Sequence, residues 1–317
     1  MGRLYFYVKM LIKWTNIKKF CIIELDILGE VYMSGENSNF LSAKRYFEKI
    51  KDKASEEAFI VLMITEIKYV QDFIDDLGGL SFGRDTIFII KKGIRVSPTK
   101  IYNSVVKTLQ SIIGCCEYVN IADAYTLLRK YRDDLFFYLY LIVVSDNSDL
   151  YNEEKANKHE SYVEKWLKNE LSNLEIKEVL KYISLSSKAK EGIIKYNLKN
   201  SFNKIGKNLN NFVHSNGVDY YNKNYYLYPK DELKSLTERF ITDLNYITMS
   251  FLFILSIIKN ICIMSTDYID ALDFGEEPEE GSQYWVAPFV SDFINKNGKL
   301  LDEECIEYLR EITGMEI

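Results

Sequence analysis

Two histidines occur in the 317 residues of this chain, and one of them, His214, closes the stretch Lys207-Asn208-Leu209-Asn210-Asn211-Phe212-Val213-His214-Ser215-Asn216-Gly217. Imidazole is the side chain whose ordinary pKa lies near neutrality, so a histidine at a helix end among polar groups is the first suspect for proton transfer. Counted at 3.6 residues per turn, Lys207, Asn210, Asn211 and His214 share one face, while Phe202, Ile205, Leu209, Phe212 and Val213 form an apolar side. Ser215-Asn216-Gly217 predicts a left-handed helix stop that leaves the ring near solvent. A helix C-terminus also favours the imidazolium. The competing reading is a histidine that bonds a nearby backbone group and only closes the helix.

A second constellation is Arg129-Lys130-Tyr131-Arg132-Asp133-Asp134, set in a helix whose later turns are strongly apolar. Charges there are expensive to bury alone, so Arg129, Arg132 and Asp133 must pair with each other or face a polar cleft. Arg129 and Asp133, four residues apart, can pair along the helix. Should this helix meet the His214 helix, the combined histidine, lysine, amides, guanidinium groups and carboxylates are the ingredients for holding a phosphodiester and moving a proton.

A helical pair with Asp123-Ala124, Leu128-Arg129 and Arg132-Asp133 on the first helix and Leu209-Asn210-Asn211-Phe212-Val213-His214 on the second resembles the HEPN superfamily and its abortive-infection relatives, over roughly residues 97–264. The resemblance implies an α-helical bundle, often dimeric. It implies a metal-independent RNase of toxin, CRISPR or phage-defence systems, with an arginine and a histidine forming a composite site across the dimer. On that pattern the histidine is His214, the polar position is Asn208, and the arginine position holds Lys207, which keeps the charge without the bidentate fork. Arg129 or Arg132 would then supply the guanidinium from the neighbouring helix, with Asn211 and Asp133 beside the site. Two other readings stay open: a non-catalytic helical module that holds a partner protein or senses a phage component, and an antitoxin or regulatory partner.

Composition sets the outer bounds. A formal charge of −6 excludes a surface wholly built for nucleic acid and leaves room for a local basic patch. The five cysteines (Cys21, Cys115, Cys116, Cys262, Cys305) show no CxxC pair, so neither a disulfide framework nor a zinc site is expected, and reduced cytoplasm is the simplest compartment. Asp267, Asp270 and Asp273 read as a solvated helix face, and His159 as an exposed residue of a charged loop. No phosphate-binding glycine loop, GxSxG, HExxH or GxGxxG is present, and no cofactor or metal is expected. The apolar run Ile247 to Ile258 falls short of the ~20 residues of a spanning helix, so a buried core helix is expected rather than a membrane segment.

The elements that must position these residues read as mainly α, a helical bundle with an N-terminal extension holding one or two short strands. Few prolines and glycines favour long helices. The division expected is 1–96, a helical or mixed region; 97–264, the bundle; and 265–317, a tail with an aromatic cluster and a terminal helix. Within these, Phe20 to Leu28 is a strand or a short helix. Ser42 to Leu77 is one helix, stopped by Gly78-Gly79, with Phe47, Ile50, Ala54, Ala58, Val61, Leu62 and Thr65 falling at spacings of three and four. Thr86 to Ile90 is an extended segment, Ser97-Pro98 opens a helix, and Ala124 to Val144 is a long one. Residues 145–160 form a loop, and Lys234 to Ile263 is the second core helix. The cluster from Tyr284 to Phe289 caps a core or meets a partner.

Overall fold

Apolar residues recurring at three and four positions build most of the described elements, and the result is a helical bundle with one pair of short antiparallel strands. The computed structural model describes residues 39–82, 87–89, 94–146, 153–170, 175–217, 220, 230–277, 286–301 and 303–313. In chain order the helices are α1 (Asn39–Glu56), α2 (Ala58–Leu80), α3 (Pro98–Glu117), α4 (Ile121–Asp146), α5 (Glu153–Leu167), α6 (Ile176–Ile183), α7 (Ser187–Lys195) and α8 (Leu198–Val213). They continue with α9 (Lys230–Ile258), α10 (Thr266–Phe274), α11 (Pro288–Asn297) and α12 (Glu303–Thr313). Strands β1 (Ile87–Ile89) and β2 (Ile94–Val96) pair antiparallel, Ile87 opposite Val96 and Ile89 opposite Ile94.

Helices α4 and α9 form the centre. Phe136 and Tyr138 to Val144 are buried around the whole circumference of α4, as their unbroken apolar run requires. Helix α9 is long and apolar enough to cross a bilayer by length and composition alone, yet it lies mostly buried among the other helices, the place expected for a core helix. It starts four residues earlier and stops at Ile258, where a short 3-10 turn (Asn260–Ile263) takes over.

Several expectations are corrected. The segment from Ser42 to Leu77 is two helices, broken at Glu57, whose ψ of 110° is extended. Gly78-Gly79 does not stop the second, which continues to Leu80. Gly78 instead lets α3 approach, since a β-carbon there would lie 3.1 Å from Tyr102 Cβ. The buried face of α2 is Ile60, Met63, Ile67, Val70, Phe73, Ile74 and Leu77, leaving Val61 and Leu62 exposed, as Phe47 is on α1. Residues 145–160 are not one loop: α4 reaches Asp146 and α5 begins at Glu153.

His159 is likewise no loop residue. It sits half-buried on α5, with Nδ1 2.9 Å from the Tyr140 hydroxyl and its ring 3.8 Å from that of Tyr182. The described end of the aromatic tail caps the core, Phe289 and Phe293 packing on Phe73 at 5.9 and 4.0 Å. The segments Phe20 to Leu28 and Tyr221 to Tyr228, Cys21, Tyr284 and Trp285 lie outside the described residues.

Candidate functional site at the end of helix α8

The register of α4 against α8 locates every residue of interest. Phe136 meets Phe202 at 4.4 Å, Arg132 meets Gly206, and Tyr125 stacks on Phe212 at 4.2 Å, so the two helices run antiparallel with their apolar faces together. On the other flank α9 also runs antiparallel to α8, with Asn208 Nδ2 donating to Asp243 Oδ2 at 3.4 Å. Phe240 packs edge-on against Tyr125 at 5.0 Å. The start of α4, the end of α8 and residues 239–243 of α9 therefore share one end of the bundle.

His214 is exposed at that end. It is the C-cap of α8, and the helix closes with Asn216 N–H donating to Asn211 O and Ser215 N–H to Phe212 O, a Schellman pattern. The left-handed residue is Ser215 (φ 47°) rather than Gly217, so the stop falls where the residue types predict it but on a side chain that resists that conformation. Asn211 is half-buried, donating to the Tyr220 hydroxyl at 3.1 Å and accepting from Asn216 at 3.3 Å.

Along α8 a polar stripe of Asn200, Asn203, Lys207, Asn210 and His214 recurs at three- and four-residue spacing, and all five are exposed. Lys207 and His214 thus share a face, separated by two turns, roughly 10 Å of rise. Asn208 points the other way, buried against Asp243.

The α4 charges form a separate group. Arg132 is 3% exposed, and its Nε and Nη2 both donate to Asp133 Oδ1, at 2.9 and 2.6 Å. Arg129 Nε lies 3.6 Å from the other oxygen of the same carboxylate. Asp133 is thereby shared by two guanidinium groups. Arg132 meets α8 at Gly206, eight residues or roughly 12 Å of helix before His214. Within one chain Lys207, Asn210 and His214 share the exposed stripe, Asn211 turns to Tyr220, and Arg132, although level with Lys207 through its contact at Gly206, is buried in the α4–α8 seam and bonded to Asp133.

Two residues at the His214 end carry signals the sequence reading passed over. Asp243 is buried at the α8–α9 seam, and burial pushes its carboxyl up to about 6; Arg239, the bond from Asn208 and the charge of Lys204 oppose that rise. Arg239 is largely exposed, with Nε 3.9 Å from Asp243, one residue before the Phe240 that packs on Tyr125. The Tyr125 hydroxyl is buried beside this carboxylate and Asn208, and its pKa is raised by burial first and by Asp243 second, with Arg239 and Asn208 opposing. The sequence signal that could have found them is Asp243 as the last charged residue of α9 before its apolar run, with Arg239 four residues earlier.

Charge is distributed unevenly. From Lys177 to Gly217 there are eight lysines, two glutamates and no aspartate, a local excess of six positive charges in a chain of net −6. Lysines elsewhere are commonly paired, as in Lys51–Glu117, Lys130–Asp134, Lys168–Glu164, Lys259–Asp146 and Lys296–Glu66. On α6, α7 and α8, Lys177, Lys181, Lys190, Lys199, Lys204 and Lys207 are exposed, and none makes an ion pair with a described residue. Positive charge is thus concentrated on the exposed surfaces of α6 to α8.

The cysteines and aspartates of interest lie elsewhere. Cys116, Cys262 and Cys305 are buried, and burial raises the thiol pKa of Cys115 and Cys116. Asp267, Asp270 and Asp273 are exposed on α10, and no cluster of three metal-ligating side chains occurs among the described residues. Comparison of the chain with models of known protein families, with curated proteins and with solved structures finds no match.

Proposed function

We propose that this chain is a HEPN-like RNase of the toxin or phage-defence kind, acting in the cytoplasm as a dimer and holding RNA on the basic face of α6 to α8. The observation that carries the reading is the run of unpaired lysines and amides along α8 that ends at the exposed imidazole of His214. RNA brings its own nucleophile. The 2′-oxygen attacks the adjacent phosphorus while the P–O5′ bond breaks, giving a 2′,3′-cyclic phosphate and a 5′-hydroxyl. A base takes the 2′-hydroxyl proton and an acid delivers one to the leaving O5′. His214 serves one of these roles and the His214 of a second copy serves the other. Lys207 and Arg239 stabilise the charge that builds on the phosphoryl oxygens, a role in which a guanidinium is the stronger partner.

The experiment compares cells expressing the wild-type chain with cells expressing His214→Ala at equal levels, reading growth and RNA integrity. Growth arrest with RNA cleavage, both lost in the variant, supports the reading. Intact RNA in both sinks it.

One observation favours a second reading, a non-catalytic module that grips RNA or a partner protein. Arg132 is buried and committed to Asp133, so the guanidinium nearest in helical register to Lys207 is already occupied. Under this reading RNA binds and survives.

A further inference from the structure

A pocket of about 400 Å³ opens where α6, α7 and the start of α8 converge. Four lysines line it, Lys177 and Lys181 from α6, Lys190 from α7 and Lys199 from α8, and no carboxylate does. The lysines come from three helices, so the clustering is a product of the fold rather than of one charged segment. The floor is different in kind: Leu180 and Ile193 are 8% and 4% exposed, and Ile194, at 67%, stands at the rim. Asn197, Asn200 and Asn203 add amides, and Asn197 holds its place in a left-handed turn (φ 51°) between α7 and α8.

Four ammonium groups around one pocket repel one another, and an anion entering among them relieves the repulsion. None of the four is paired to a described residue. A simple inorganic anion would use the lysines and leave the apolar floor wet. The volume falls in the range of pockets that hold ligands of nucleotide size. A flat heterocycle against Leu180, Ile193 and Ile194, with its phosphates among the lysines and its sugar and base edges on the amides, uses every part of the lining.

We propose that this pocket binds a nucleotide through its phosphates. The phosphates come either from a free nucleoside polyphosphate or from a nucleotide of an RNA strand, and the chemistry of recognition is the same. The pocket lies at the far end of α8 from His214, so it binds its ligand whether or not the chain cleaves RNA. Loss of nucleotide binding and loss of RNA cleavage are therefore separable results.

The test is calorimetric titration of the full chain with ATP, adenosine, tripolyphosphate and a short single-stranded RNA lacking a terminal phosphate. Expected are binding of ATP, none of adenosine, and weaker binding of tripolyphosphate than of ATP. The double variant Lys181→Ala/Lys190→Ala should weaken ATP at least tenfold, Ile194→Ala should weaken ATP while sparing tripolyphosphate, and the distant Lys68→Ala should change nothing. These are exposed side chains, and matching circular dichroism and melting temperature show that the variants are folded. ATP tighter than the RNA assigns a free nucleotide; RNA tighter than ATP, with ATP competing and the double variant weakening both, assigns a nucleotide of the strand. The proposal is overturned if no ATP binds at millimolar concentration, if the double variant leaves binding unchanged, or if tripolyphosphate binds as tightly as ATP.

Discussion

The guanidinium of Arg132 on α4 lies directly over the bare backbone of Gly206 on α8, where a β-carbon would stand 2.9 Å from Nη1. The missing side chain gives the end of a buried, carboxylate-bonded arginine its room between two packed helices. Gly192 has the same role on α7, beneath Phe253 and Tyr308, whose ring atoms would meet a β-carbon at 3.0 to 3.1 Å.

These two glycines should respond differently to alanine. In a helix interior alanine gains about 1 kcal/mol over glycine. At 206 the obstructing atom is the end of a flexible side chain, so Gly206→Ala should leave stability within about 1 kcal/mol of wild type. At 192 the obstruction is two packed rings, and overpacking costs of about 1–3 kcal/mol exceed the gain. Chemical denaturation of both variants checks this; equal midpoints would refute the distinction.

Among the described residues, four that are not glycine take a left-handed conformation at helix ends, Val119, Asn169, Asn197 and Ser215, and two of these, Val119 and Ser215, are not asparagine either. Ser215 (φ 47°) is exposed, so Ser215→Gly should stabilise the chain by about 0.5–1 kcal/mol, close to the conformational strain it removes. Val119 (φ 59°) is half-buried, and Val119→Gly relieves the strain of a β-branched residue while losing apolar contact, so its net effect should be near zero. Melting temperatures measured side by side decide between them.

Asp243 gives a pH signature. Burial raises its folded-state pKa from 3.8 to about 6, so the folded chain holds this proton more tightly than the unfolded chain does. Ionisation therefore costs the fold stability: the cost is absent below the unfolded pKa, grows across the interval, and is complete above the folded one. Asp243→Asn should flatten the fall in stability over that interval and raise stability at pH 8 by about 1–3 kcal/mol, less whatever Arg239 loses. Denaturation midpoints at pH 4 and pH 8 provide the measurement, and a variant less stable than wild type at pH 8 would show that the Asn208 and Arg239 contacts outweigh burial.

If RNA lies on α6 to α8, its affinity must fall steeply with salt. Each phosphate neutralised on a single strand contributes about 0.7 to the slope of log affinity against log salt. Lys204→Ala/Lys207→Ala should lower the slope by about 1.4, while Lys68→Ala, on the exposed surface of α2, should not change it. Fluorescence anisotropy at several salt concentrations measures both.

The helical class and the two central helices were legible because the apolar periodicity of α4 and α9 persists over many turns. Other features depended on partners distant in sequence. Gly78 looks like a stop from its neighbours, and only the approach of Tyr102 explains a glycine inside α2. His159 lies among polar residues and reads as exposed, whereas Tyr140 and Tyr182 come from other helices to enclose it. At the candidate site, the shared face of Lys207 and His214 follows from helical spacing alone. The turning of Asn208 towards Asp243 and the commitment of Arg132 to Asp133 depend on how α4, α8 and α9 meet.

The concentration of positive charge between Lys177 and Gly217 leaves the remainder of the chain with twelve net negative charges. If RNA is the ligand, the attraction between its phosphates and the lysines of α6 to α8 acts before contact, most strongly at low ionic strength, and raises the rate of encounter on that face.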